Sequence, residues 1–198
     1  MGVLVKRGAA MDTRDRMVYA ATELLQRRGV AAMSFTEVLA ASGAARGAIY
    51  HHFPGGKRQL VAEAAERHGT VVRDHLAALS GDSPQEVVAT FLATVRPVVG
   101  ASVSGHGCAI AAVAIDPDPE DDRLRHTAAT AFTSWEDALA SRLTAAGMSV
   151  DDANSLAALL IATLEGAHIT CRAANSLTPF DRAEKALLRM VRDVSCPD

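Results

Sequence analysis

Aromatic residues are scarce in this chain of 198 residues, where five Phe, two Tyr and one Trp make up 4%. Cysteine is scarcer still, and Cys108, Cys171 and Cys196 form no Cys-x-x-Cys pair. An odd number of cysteines also argues against a closed disulfide framework. We therefore expect reduced thiols and a fold that does not depend on disulfides.

The chain also lacks the short motifs that mark common active sites and metal sites. It contains no His-Glu-x-x-His, no Walker loop and no Gly-x-Gly-x-x-Gly. The adjacent His51 and His52 cannot share one helix face as a pair of metal ligands. The acidic segment 116–122, DPDPEDD, could hold calcium, but its two prolines and the missing EF-hand Gly and Glu favour a solvated helix start. We expect no enzyme activity, no metal and no cofactor.

Long hydrophobic runs are missing as well. Apolar residues make up 49% of the chain, yet no uncharged apolar run approaches the ~20 residues that a transmembrane helix needs. The first residues, MGVLVKRGAAMDTRDR, lack the continuous apolar region of a secretory signal. We expect a cytoplasmic protein without membrane association, in which residues 1–11 form a flexible N-terminal arm.

Charge is distributed unevenly along the chain. Residues 1–60 contain nine Lys and Arg against four acids, a balance of +5, while the whole chain has a net charge of -3. The remainder is therefore strongly acidic. A basic N-terminal part followed by an acidic remainder is typical of a DNA-binding domain attached to a domain that does not bind DNA.

Residues 34–57, SFTEVLAASGAARGAIYHHFPGGK, carry the signals of two short helices joined by a tight turn. Ser34 and Glu37 have the spacing of a capping box, which predicts a helix to about Ala41. Gly43 tolerates positive φ, so the chain can reverse direction there. A second helix is predicted from about Ala45 to His52, which completes a helix-turn-helix.

The second of these helices has the residues that DNA reading requires. Arg46 is a bidentate donor, and its small neighbours Gly47 and Ala48 allow a close approach to a major groove. Tyr50, His51 and Lys57 are suited to donate to phosphates. A short Ala-rich packing helix remains the alternative interpretation of the same composition. The predicted DNA contacts are Thr36, Arg46, Gly47, Ala48, Tyr50, His51 and Lys57.

Helical periodicity continues along the rest of the chain and predicts an all-α fold of about nine helices. Thr13 is the predicted cap of the first helix, which Gly29 ends, and the segment 100–107 is predicted to be irregular. The other predicted helices run over 57–79, from Ser83-Pro84 onward, over the short run CAIAAVAID, and over 120–146, 150–175 and 179–194.

The helix-turn-helix resembles the N-terminal domain of TetR-type transcriptional regulators. The shared features are Ser42-Gly43, then Gly47-x-x-Tyr50-x-His52-Phe53 and Lys57 ahead of a long helix, and the match covers about residues 12–65. Two departures are visible, since Ala45 replaces the usual Ser or Thr and three residues instead of two separate Phe53 from Lys57. The form HHFPGGK is similar to the LmrA/YxaF-like branch.

The resemblance implies a helix-turn-helix DNA-binding domain over 12–58 and a ligand-binding and dimerisation domain over 59–198. A homodimer would read a palindromic double-stranded operator, because pairing doubles the short site that one recognition helix reads. A monomeric antiparallel helix pair is the alternative. The predicted dimer interface consists of Leu156, Leu160, Leu164, Ala167, Cys171, Leu187, Met190 and Val191.

The resemblance further implies a pocket for a small hydrophobic effector whose binding releases DNA. Repression is the expected output, and activation stays open. For each lining residue taken singly, core packing is the favoured alternative. The predicted lining consists of Phe91, Val95, His106, Cys108, Phe132, Trp135 and His168. The alternative functional class is a helical small-molecule-binding protein or an enzyme whose helix-turn-helix is structural.

Overall fold

The computed structural model describes residues 11–115 and 122–194. These residues form nine α-helices and no strand, which confirms the all-α prediction. The helices are α1 (Thr13–Ala32), α2 (Phe35–Ser42), α3 (Ala48–His52), α4 (Gly56–Ala77), α5 (Pro84–Val103), α6 (Ala109–Ile115), α7 (Asp122–Ala145), α8 (Val150–Ala174) and α9 (Thr178–Val194).

The chain packs as two units. The first is Met1–His68 with Cys108–Ala129, and the second is Gly69–Gly107 with Thr130–Asp198. We predicted a boundary at residue 58, whereas this division follows α4 to His68 and places α6 in the first unit. The reason is that α6 packs against α1, a contact that local sequence patterns do not reveal.

In the first unit, α1 is the scaffold that contacts α2, α3 and α6. Its N-cap is Asp12, whose carboxylate accepts the Asp15 backbone N–H at 2.7 Å, so the predicted Thr13 cap is wrong. Asp caps as well as Thr, and its charge also suits a helix N-terminus. Gly29 interrupts α1 with φ 75, and one further turn follows. The unit's core side chains include Met17, Ala21, Leu25, Val38, Ile49 and Phe53.

In the second unit, α5, α8 and α9 pack against one another. The predicted start of α5 is confirmed, since the Ser83 hydroxyl accepts the Glu86 N–H and Pro84 opens the helix. The helix continues into the segment 100–107 that was predicted to be irregular and ends at Val103, so that residues 104–107 are irregular as predicted. Val99 and Ser102 are buried there, and this packing outweighs the low helix propensity of Gly100.

Three predictions fall wholly or mostly outside the described ranges. They concern the arm over residues 1–11, of which 1–10 are not described, the acidic segment 116–122, of which 116–121 are not described, and Cys196. Neither Cys108 nor Cys171 forms a disulfide in the described part of the chain. By length and hydropathy alone α5 and α8 could each cross a membrane, but core helices pass the same test. Here they pack against each other.

Candidate functional site

The predicted capping box is present at the start of α2. The Ser34 hydroxyl accepts the Glu37 N–H at 3.3 Å, and the Glu37 carboxylate accepts the Ser34 N–H at 3.2 Å. Arg28, near the end of α1, forms an ion pair with the same carboxylate. The hydrogen bond from the Ser34 side chain, together with the charge of Arg28, lowers the pKa of Glu37. Glu37 therefore both caps α2 and connects it to Arg28 of α1.

The predicted turn at Gly43 is confirmed, whereas the predicted start of the recognition helix is wrong. Gly43 ends α2 in the left-handed region with φ 66, which Gly adopts without steric cost. The recognition helix α3 begins at Ala48, three residues later than predicted, because residues 45–47 form a turn closed by the Ala48 N–H to the Ala45 carbonyl at 2.9 Å. No side chain caps α3, since neither Ala45 nor Gly47 has an acceptor.

Most of the predicted DNA contacts are exposed, and they lie on α2, on the turn that follows it, on α3 and at the start of α4. Tyr50 is 67% exposed, and its ring meets Phe35 edge-on with centroids 6.0 Å apart. Lys57, in the first turn of α4, donates from Nζ to the Ala31 carbonyl at 3.3 Å. Thr36, Arg46, Gly47, Tyr50 and His51 are exposed, and Ala48 and Lys57 are half-buried.

Sequence reasoning missed the ion pairs between α1 and α4. Arg14 of α1 forms an ion pair with Glu63 and lies 5.4 Å from the ring centroid of the buried Phe53. Asp15 pairs with Arg67 at 2.5 Å. These partners are 49 and 52 residues apart in the sequence, so no local spacing could have indicated them.

The predicted effector-pocket residues are divided between the two units. Cys108 belongs to the first unit, where its Sγ accepts the Ala111 N–H at 3.4 Å at the start of α6. The other six belong to the second unit. Among them, Phe91, Val95, Trp135 and His168 are buried, while His106 and Phe132 are half-buried. Two surface grooves, one between α1 and α2 and one along α9, include none of these residues.

Polar contacts in the second unit cluster where α5 ends. The Ser102 hydroxyl lies 2.5 Å from Nδ1 of His168, and both side chains are buried. One turn further along α8, Arg172 donates to the Gly105 carbonyl at 2.8 Å. Next to this anchored turn, Nδ1 of His106 is buried without a hydrogen-bond partner. A buried polar atom without a partner is costly, so this nitrogen is a candidate hydrogen-bonding group for a ligand.

Most of the predicted dimer interface is already covered within a single chain. Seven of its eight residues are buried, including all five on α8, and only Met190 is exposed, at 38%. The reason is that the most apolar stripe of α8 packs against α5 and α9. The opposite face of α8 exposes apolar and small side chains, among them Leu159 (41%) and Ile169 (62%). That outer face comprises Ala158, Leu159, Ala162, Gly166, Ile169 and Ala173.

Comparison with known proteins identifies both parts of the chain. Residues 18–64 match the family model of bacterial regulatory proteins of the tetR family, and residues 84–186 match the C-terminal domain of LmrA/YxaF-like transcriptional regulators. An HTH-type transcriptional regulator of Mycobacterium tuberculosis is 36% identical over 90% of this chain and 93% of its own. LmrA of Bacillus subtilis is 26% identical over 85% of this chain and 91% of its own.

Solved structures show the same fold. A TetR transcriptional regulator from Legionella pneumophila superposes with a TM-score of 0.81 at 20% identity, covering 92% of this chain and 98% of its own. The regulator CifR, solved with 26-base-pair operator DNA, superposes with a TM-score of 0.70 at 23% identity over 92% of this chain and 98% of its own.

Proposed function

The chain belongs to the TetR family of bacterial transcriptional regulators, and we propose that it is a cytoplasmic, homodimeric repressor released from a palindromic operator by a small hydrophobic effector. The observation that carries the proposal is the exposed surface of Arg46, Tyr50 and His51 on a capped helix-turn-helix. This surface belongs to the basic part of an otherwise acidic chain. Phosphate neutralisation by that part supplies non-specific affinity, and Arg46 supplies base discrimination.

The proposed dimer pairs the outer face of α8 with its copy about a two-fold axis. Small residues at Ala162 and Gly166 let two helices approach closely, while Leu159 and Ile169 supply apolar area. The proposed interface also includes Met190 of α9, which is exposed. Two recognition helices would then read half-sites separated by one DNA turn, about 34–36 Å, or a multiple of it.

The proposed effector site is built from the second-unit residues Phe91, Val95, His106, Phe132, Trp135 and His168. Most of these side chains are apolar, and the buried Nδ1 of His106 offers a hydrogen bond to a polar group of the effector. An effector that binds a different arrangement of the dimer better than the operator-bound one lowers DNA affinity by that difference. We expect a neutral apolar compound with one hydrogen-bonding group.

Footprinting of the DNA that flanks the protein's own gene tests this function. The proposal predicts one protected palindrome, with protection lost on adding an effector found by screening for release of labelled operator. The same compound should change the fluorescence of Trp135, the chain's one tryptophan. If no sequence is specifically protected at low salt, the proposed regulator function is overturned. If the Trp135 fluorescence does not change when a compound releases the operator, Trp135 is not part of the effector site.

A further inference from the structure

Arg28 and Glu37 form an ion pair where α1 leads into α2. Nη1 of Arg28 contacts Oε1 of Glu37, and the Arg28 side chain is 56% exposed. Gly29, the next residue, interrupts α1, and one further turn ends at Ala32 before Ser34 caps α2. The pair therefore connects the last part of α1 to the first turn of α2.

The two carboxylate oxygens of Glu37 have different partners. Oε2 accepts the Ser34 backbone N–H at 3.2 Å and the Ser34 hydroxyl at 3.0 Å, while Oε1 contacts Arg28. The hydrogen bond from the Ser34 side chain and the charge of Arg28 lower the pKa of Glu37, so its carboxylate is ionised at neutral pH. Because the capping box fixes this carboxylate, it also limits the positions that the Arg28 guanidinium can take.

The guanidinium of Arg28 retains donors after it pairs with Glu37. An arginine side chain has five N–H groups, and one carboxylate engages at most two of them. At least three donors therefore remain for another acceptor, and more than half of the side chain is exposed. The arginine fork is well suited to bind the oxygens of a phosphate.

Two of the predicted DNA contacts involve the same short segment, residues 28–37. Thr36 is exposed in the first turn of α2. Nζ of Lys57 donates to the carbonyl of Ala31, three residues after Arg28, at 3.3 Å. All of these residues belong to the first unit. Arg28 thus lies on a segment that already includes one predicted DNA contact and is in contact with another, although the sequence analysis assigned it no role.

We propose that Arg28 binds a phosphate of the operator while it stays paired with Glu37. This inference rests on the proposed function and adds a residue to the predicted DNA contacts. A phosphate contact contributes affinity without reading bases, so Arg28 should support operator and non-operator binding alike. The alternative role of the ion pair is to neutralise Glu37, whose charge would otherwise repel DNA. The two roles have different consequences when residue 37 is made neutral.

The substitution Arg28→Gln, measured in the wild-type and the Glu37→Gln backgrounds, separates these roles. Gln at N3 keeps the capping box, but it has no charge to neutralise. In both backgrounds we expect Arg28→Gln to weaken operator and non-operator binding by similar factors, and to reduce the slope of log affinity against log salt by about 0.9. If Arg28→Gln leaves affinity and slope unchanged in the Glu37→Gln background, Arg28 only neutralises Glu37 and the proposal is overturned.

The matched control is Arg27→Gln, which removes the same charge from the neighbouring position of α1. Arg27 is exposed and lines the groove between α1 and α2. We expect a clearly smaller change of salt slope than for Arg28→Gln, with unchanged helix content by circular dichroism in both variants. Equal slope changes would show an effect of net charge alone and would overturn the contact.

Ethylation interference locates the contact on the operator. Ethylation removes the charge of a single phosphate. We expect one phosphate in each half-site at which ethylation weakens binding of the wild type and of Arg27→Gln but not of Arg28→Gln. An identical interference pattern for the wild type and Arg28→Gln would overturn the proposal.

The outcomes separate this inference from the proposed function. If the wild type does not prefer its operator to other DNA, the proposed function fails, and the salt slopes on a non-operator duplex still test Arg28. If the wild type binds the operator specifically and Arg28→Gln keeps its salt slope and interference pattern, only the role of Arg28 is refuted.

Discussion

The ammonium of Lys57 lies 3.3 Å from the carbonyl oxygen of Ala31, in the turn that ends α1. One carbonyl leaves two of the three lysine N–H donors available. The contact with Ala31 therefore leaves donors on Lys57 for the DNA phosphate that we propose it binds. The contact connects the scaffold helix α1 to the helix that follows the recognition helix.

Replacing Lys57 by Ala should weaken binding to operator and non-operator DNA by similar factors. The physical reason is that a phosphate contact carries no base information but releases a counterion, so the slope of log affinity against log salt should fall by about one. Lys57→Arg, which keeps the charge, is the control. A change in the operator to non-operator ratio would show that Lys57 reads sequence.

Replacing Arg46 by Ala should instead relax sequence preference. Arg46 is exposed in the turn that leads into α3, and loss of a bidentate contact to a base costs about 1–3 kcal/mol of discrimination. Competition assays with operators that differ at single base pairs measure the effect. The hypothesis requires the affected positions to be few and symmetric in the two half-sites, and a uniform loss over all sequences would contradict it.

Removal of the Ser34 cap should destabilise the helix-turn-helix. Ser34→Ala leaves the Glu37 N–H without its acceptor at the start of α2, which typically costs about 1 kcal/mol. Urea unfolding at pH 7 measures the loss, and Ser34→Asp, which keeps an acceptor, should restore most of it. Equal unfolding midpoints for the wild type and Ser34→Ala would show that the cap contributes nothing.

The stability of the protein should fall between pH 6.5 and pH 5 because of His68. Burial lowers the pKa of His68 to about 4, whereas in the unfolded chain it is about 6.5. Over this window the unfolded state binds one more proton than the folded state, so acid favours unfolding by about 2 kcal/mol down to pH 5. Below pH 4 the folded state also binds the proton and the loss levels off.

Urea unfolding at pH 6.5 and pH 5 tests the role of His68. His68→Gln should flatten this part of the pH profile, while the control His75→Gln, which changes an exposed histidine in the last turn of α4, should keep its shape. Identical profiles for the wild type and His68→Gln would exclude His68 as the source.

A charge placed on the outer face of α8 should dissociate the proposed dimer. Ala162→Arg introduces a large cation where two small residues would meet, and sedimentation at micromolar concentration should report a monomer with unchanged helix content. Thr144→Arg, at an exposed position of α7, should stay dimeric. A dimeric Ala162→Arg protein would place the interface elsewhere.

Local signals in the sequence were sufficient for most helix boundaries. Ser34 with Glu37 and Ser83 with Pro84 specified two helix starts that the structure confirms, because capping depends on residues at most three apart. The prediction of an irregular segment over 100–107 was wrong for residues 100–103, because the burial of Val99 and Ser102 keeps α5 helical past Gly100.

Long-range relationships were not available from the sequence. The apolar stripe of α8 was assigned to a dimer interface, although the same periodicity is produced by packing in the chain's own core. Likewise, the hydrogen bond from the Trp135 indole to the Gly69 carbonyl spans 66 residues and leaves no local pattern. Such contacts are determined by which helices pack together, and periodicity alone does not specify the packing partner.

Sequence-specific operator binding is tested by comparing the affinity of the wild-type protein for DNA from its own promoter with its affinity for a scrambled duplex of equal length at the same salt concentration. We expect saturation at one dimer per duplex and an affinity ratio of at least about 10³ in favour of the promoter site. Equal affinity for the two duplexes, with the same salt dependence, would contradict it.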